Sequence, residues 1–204
     1  MSEVQTISLF PLRVVLFPGN KLELQIFERR YLDLVSHCMR NDQGFGVCLL
    51  KEGEEVIRAE SKQTIHRTGT YAGIVDWDQL ENGLLGITVQ GQAKFRILDC
   101  WQADSGVLEA SVEFSEQDRL GEDAIPLTEN YAALVDLLQN LENHPMIEEK
   151  QIRVDYDNLW ELGWRLGDLI PIDVEQKQEL LETDDPWERI SSIERLVSAI
   201  ANEA

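Results

Sequence analysis

The hydrophobic period of this chain changes partway along, and that change limits the folds open to it more than any single motif. Up to Phe114 the apolar residues come in short runs or alternate with polar ones. Leu22, Leu24 and Ile26 interleave with Glu23 and Gln25, the spacing of a half-buried strand. After Pro126 the spacing becomes helical, with Tyr131, Leu134, Val135, Leu138 and Leu141 on one stripe. Strands followed by helices predict an α+β architecture rather than an alternating α/β one.

Within the first part, strands are expected over Val4–Phe10, the short apolar run Arg13–Phe17, Leu22–Ile26, Gly44–Leu50, Thr64–Trp77, Leu84–Val89, Ala93–Trp101 and Gly106–Phe114. One helix interrupts them at Glu28–Arg40, with Tyr31, Leu32, Leu34, Val35, Cys38 and Met39 on its apolar side. Pro18-Gly19-Asn20 signals a turn, and Asn82-Gly83 a two-residue hairpin in which both positions take φ > 0. Gly69, Gly73, Gly86 and Gly91 mark expected bulges or corners that let a sheet curl. Six or more short strands with one inserted helix suggest a small closed or nearly closed β-barrel. The polar stretch from Ser115 to Ala124 is the expected boundary, giving a β subdomain over 1–116 and a helical one over 117–204. In the latter, helices are expected from Tyr131 to near His144-Pro145, over Leu159–Leu169, after Asp173, and after Asp185-Pro186-Trp187-Glu188. They should pack as a small four-helix bundle.

Charge divides along the same line. The whole chain carries −20. Residues 1–100 hold 11 Lys/Arg against 13 Asp/Glu, and residues 101–204 hold 7 against 25, so the halves contribute −2 and −18. Such a field repels nucleic-acid phosphates and anionic membranes. The N-terminus has no signal-peptide pattern, and no apolar run reaches membrane-spanning length. Cys38, Cys48 and Cys100 are odd in number and widely spaced, which argues against a disulfide framework and for the cytoplasm.

Recognisable catalytic and metal-binding motifs are scarce in the chain. No phosphate-binding loop or Gly-x-Ser-x-Gly elbow occurs. His37, His66 and His144 are scattered without metal-ligand spacing, and Ser61-Lys62 sits in a polar loop where the lysine stays protonated. No catalytic residue, metal or cofactor is expected. Trp160 and Trp164, with Gly163 and Gly167 beside them, read as helix packing, and Trp187 as a packing staple at a helix start. Trp77 lies among Asp76, Asp78 and Gln79, just before the hairpin turn. It is the tryptophan expected to be exposed and the one candidate ligand contact.

Several of these segments also form a recognisable series. Phe10-Pro11-Leu12, Val15-Leu16-Phe17-Pro18-Gly19 and Leu22-Glu23-Leu24-Gln25-Ile26-Phe27-Glu28 open it. Gly69-Thr70 with Ala72 and Ile74, the Asn82-Gly83 turn, and Val89-Gln90-Gly91-Gln92-Ala93-Lys94-Phe95-Arg96-Ile97 continue it. Ile170-Pro171, Lys177-Gln178 and Leu180-Leu181-Glu182 close it. In this order they resemble the N-terminal, substrate-binding domain family of Lon proteases. The resemblance implies a PUA-like β-barrel followed by a helical bundle. It also implies a non-catalytic module for unfolded, tagged or peptide-like protein clients, acting as an adaptor and lacking the ATPase and serine–lysine peptidase, which in Lon lie in later domains. An enzymatic site between barrel and bundle, and RNA binding through a PUA-like fold, are the competing readings.

Overall fold

The computed structural model describes residues 4–53, 63–115, 125–126, 129–143 and 155–203. The chain divides into two compact units, Met1–Leu120 and Gly121–Ala204. His144, the Ser61-Lys62 pair and most of the polar stretch after Ser115 lie outside the described residues.

The first unit contains β1 (Val4–Leu12), β2 (Lys21–Ile26), α1 (Arg29–Asn41), β3 (Phe45–Glu52), β4 (Thr64–Gln79), β5 (Leu85–Gln102) and β6 (Leu108–Phe114). The strands form one mixed six-stranded sheet in the order β2-β5-β4-β3-β1-β6. β1 and β3 run parallel, and the other pairings are antiparallel. β6 also pairs with the second half of β5, so the ladder β5-β4-β3-β1-β6 returns to its starting strand.

Two expected strands, Leu84–Val89 and Ala93–Trp101, are one. Gln90-Gly91-Gln92 does not break the strand but bulges it. Tyr71 pairs with Ala93 and Ala72 with Gly91, leaving Gln92 as the extra residue. That bulge bends β5, so its first part pairs with β2 while its second part pairs with β6. β1 runs through Pro11 because β6 has ended by Leu9, and one side of β1 then needs no N–H donor.

The Asn82-Gly83 turn also differs from expectation. Only Gly83 takes a positive φ, +81°. Leu80 N–H donates to Leu84 O at 2.9 Å, and Gly83 N–H to Leu80 O at 2.8 Å. This is a three-residue loop ending in a left-handed glycine. Asn82 serves through its side chain, whose Oδ1 accepts from Leu84 N–H at 3.0 Å.

Apolar side chains fill the first unit in two clusters. The larger joins Phe10, Tyr31, Val35, Phe45, Ile87 and Val89; the smaller joins Leu9, Cys48, Phe95, Ile97 and Val112. The segment between β1 and β2 has no ladder of its own, yet Val15, Leu16 and Phe17 are buried. Its backbone is satisfied from the sheet: the buried Thr70 hydroxyl donates to Leu16 O at 2.5 Å, and Gly19 N–H to Gly91 O at 2.9 Å. On α1, Tyr31, Leu34, Val35 and Cys38 are buried as expected, whereas Leu32 and Met39 are exposed. The apolar stripe is narrower than its residue types suggested.

The second unit holds α2 (Ala132–Glu142), α3 (Leu159–Leu169), α4 (Val174–Glu182) and α5 (Pro186–Glu203). Their starts follow the capping chemistry read from the sequence. Asp173 accepts from Gln176 N–H at 2.8 Å while Gln176 reaches back to Asp173 N–H at 3.1 Å, a reciprocal capping box. Asp185 Oδ1 accepts from the Trp187 and Glu188 amides at 2.7 and 3.2 Å. Trp160 and Trp164 are buried and stacked at 6.1 Å, as expected of packing residues. Trp187 instead stays partly open, resting against Tyr131 at 6.0 Å. No helix among the described residues is long and apolar enough to cross a membrane.

Candidate functional site

Side chains paired directly across antiparallel strands stand side by side on one face of a sheet. The β2–β5 and β5–β4 registers place Leu24 opposite Ile87 and Ile87 opposite Trp77. The result is a cross-strand apolar row that begins in the core and ends in solvent. Ile87 is 2% exposed and Trp77 59%. The expectation that Trp77 would be exposed holds, and its ring stands two residues before the end of β4.

Two clefts meet at this tryptophan. One, of about 270 Å³, is lined by Glu23, Leu24, Asp76, Trp77, Asp78 and Leu80 among others, and lies over β2, β5 and the end of β4. The other, of about 360 Å³, opens between β4 and the C-terminal end of α1. Met39, Asp42, Tyr71, Ile74, Val75 and Trp77 contribute to it. Asp42 ends α1 in the left-handed conformation (φ 52°), its N–H returning to Cys38 O. Leu32 and Met39 are seven residues apart on α1, so they share one flank, the flank that reaches the second cleft. Met39 and Val75 both line that cleft, so exposed apolar side chains stand beside Trp77.

Of the residues around these clefts, only Trp77 is a candidate from the sequence alone. Met39 is expected on the apolar stripe of the helix, Leu24 and Ile74 read as ordinary strand residues, and Leu80 falls between two expected strands. The available signal was angular: Leu32 and Met39 lie at the margin of the α1 stripe, furthest from the line through Tyr31, Leu34, Val35 and Cys38.

Nucleophilic chemistry has no support here. Cys38, beside the second cleft, donates to Gly44 O at 3.6 Å, and burial pushes its thiol up to about 11. Burial chiefly also raises Cys48, with Cys100 adding to it. For Cys100 the causes are burial, then Asp99, opposed by Arg67. Thiols held protonated are poor nucleophiles at neutral pH. His37 is on the helix surface and His66 is buried on β4. No group of three or more His, Cys, Asp or Glu among the described residues is arranged to hold a metal.

The raised thiols set a pH dependence. A thiol protonated in the folded chain but ionised in the unfolded one gives the folded state more protons at alkaline pH. Its stabilisation is full below about pH 8.5 and is lost as pH rises through the folded value. Unfolding free energy should therefore fall between pH 9 and 11, by at most about 1.4 kcal/mol per pH unit for each thiol. Urea titrations at pH 7.5, 9 and 10.5 check this, and Cys38→Ala should flatten the slope. An unchanged slope in that variant assigns the loss elsewhere.

Residues 6–199 match the ATP-dependent protease La (LON) substrate-binding domain. A Lon protease of Syntrophus aciditrophicus (strain SB) is 26% identical over 187 residues, covering 90% of this chain and 24% of that protein. Lon protease 2 of Myxococcus xanthus is likewise 26% identical, over 95% of this chain and 24% of its own length. The chain thus spans about a quarter of the length of these relatives. Among solved structures, a Lon N-terminal domain protein from Xanthomonas campestris superposes with a TM-score of 0.72 at 30% identity, covering 95% of this chain and 98% of that one. The N-terminal domain of a Mycobacterium avium complex Lon protease shares the fold, with a TM-score of 0.60 at 16% identity.

Proposed function

The chain belongs to the family of Lon (ATP-dependent protease La) substrate-binding domains, and from that membership we propose that it recognises unfolded or peptide-like protein segments through the paired clefts at Trp77. The observation that carries this reading is the Leu24–Ile87–Trp77 row. It brings a large aromatic side chain out of the core and leaves it 59% exposed with a cleft on either side. An amphipathic aromatic of this kind is a common binding anchor, because it offers large contact area at little conformational cost.

The fold reading goes with it. The circuit of pairings through β6 back to β5 supports a small PUA-like β-barrel, with recognition in that β subdomain (1–116). The acidic helices (117–204) form a four-helix bundle in this reading. The module binds without cutting, needs no cofactor or metal, and works in the cytoplasm as an adaptor that presents clients to protease machinery. Its acidity disfavours nucleic acid and anionic membrane as partners.

Fluorescence anisotropy of labelled, unstructured peptides against the purified chain tests the reading. Binding of apolar peptides is expected, with Trp77→Ala weakening it about tenfold, or about 1.4 kcal/mol. Trp101→Ala, on β5 outside both clefts, should leave affinity unchanged. Equal affinity in the wild type and Trp77→Ala moves recognition away from this surface.

A further inference from the structure

The clefts at Trp77 combine apolar side chains with exposed acidic ones. Glu23, Asp76 and Asp78 line the first, and Asp42 and Asp76 the second. Among the described residues lining either cleft there is no Lys or Arg. This local excess stands out because the first hundred residues are nearly balanced, at −2. The two rim aspartates of β4 are also held in place: Asp76 Oδ1 accepts from Trp77 N–H at 2.8 Å, and Asp78 Oδ1 from Gln79 N–H at 2.7 Å. Each uses one oxygen locally and remains exposed at the cleft mouth.

We propose that these clefts select polypeptide segments in which an apolar or aromatic residue is flanked by Lys or Arg. The inference rests on the recognition reading above and specifies its substrate class. The apolar side chain packs against Trp77, Leu24 and Leu80, and the flanking cations meet Glu23, Asp76, Asp78 or Asp42. An acidic flank would bring like charges together at the same rim, so the arrangement rejects as well as attracts. Because the rim carboxylates are exposed, the preference is screened by salt.

Three unstructured peptides with one aromatic-aliphatic core, flanked by Lys, Ser or Glu, test it by anisotropy against the full chain. At low salt the Lys-flanked peptide should bind about tenfold more tightly than the Glu-flanked one, and the ratio should fall toward one at about 1 M salt. A general pull from the net charge of the chain would give a similar ratio, so Asp76→Asn/Asp78→Asn separates the two. These exposed, near-isosteric changes keep the Oδ1 acceptors. The Lys-to-Glu ratio should drop at least threefold in that variant; an undiminished ratio overturns the inference. Equal binding of all three peptides overturns it too while leaving the recognition reading standing. Failure of all three to bind removes both.

Discussion

Arg189→Ala should lower the unfolding free energy by about 3–5 kcal/mol, the loss expected when a buried, hydrogen-bonded cation is removed. Arg189 lies on α5 and is fully buried. Its guanidinium sits 3.3 Å from the ring centre of Trp164 and 5.1 Å from that of Trp160, both on α3. Nε donates to Leu180 O at 3.0 Å, and Nη2 donates to Thr183 O. Those carbonyls belong to the last turn and C-cap of α4, where acceptors have no partner within their own helix and a cation is favoured. One side chain therefore ties three helices together. Gly163 leaves room for it, since a Cβ there would lie 3.3 Å from Arg189 Cδ.

The alanine variant removes the stacked cation, strips a donor from each of two carbonyls and opens a cavity against two indoles. Arg189→Lys is the sharper variant. It keeps the charge but loses the planar fork, and should still cost about 2 kcal/mol. Urea unfolding followed by tryptophan fluorescence reads both. A loss below about 1 kcal/mol for Arg189→Ala would show that the α3–α4–α5 packing does not depend on this residue.

How much of this was legible in the sequence depends on range. Helix starts were readable because their chemistry is local: Asp173 with Gln176, and Asp185 before Pro186, act within one turn. The burial of Trp160 and Trp164 followed from helical spacing and flanking glycines, but the arginine packed against them did not. Arg189 looks like any polar residue on an amphipathic helix until α4 and α3 arrive around it. The same holds at the candidate site. Trp77 announced itself because an aromatic between two aspartates fits poorly in a core. Leu24 and Ile87 did not, since only the long-range registers of β2, β5 and β4 bring them into one row. The Asn82 misreading has a different origin: a two-residue and a three-residue loop share the same Asn-Gly letters, and the flanking register decides between them.

Gly91 illustrates the same limit, and its substitution should be the other severe change. The expectation placed a bulge or corner there, yet nothing local revealed what presses against it. A Cβ at Gly91 would lie 2.5 Å from the Phe17 carbonyl oxygen and 3.0 Å from Thr70 Cγ2. The Phe17 segment cannot easily retreat. Phe17 is fully buried, and the strand holds the turn through two bonds, Gly19 N–H to Gly91 O and Gly91 N–H to Asn20 O, each 2.9 Å. Gly91→Ala should therefore cost about 2 kcal/mol and Gly91→Val about 3 kcal/mol or more, read as a lower urea midpoint with little change in slope. Gly73→Ala is the matched comparison one strand away. Its nearest neighbour is the Gln92 side-chain amide, at 2.4 Å, the far end of a flexible side chain that can turn aside. It should cost well under half as much. Because Gln92 is the bulged residue and lines the second cleft, Gly91→Val should weaken peptide binding as well as stability. If Gly91→Ala proves as mild as Gly73→Ala, the Phe17–Asn20 turn is free to shift, and the bend in β5 does not depend on a bare backbone at this position.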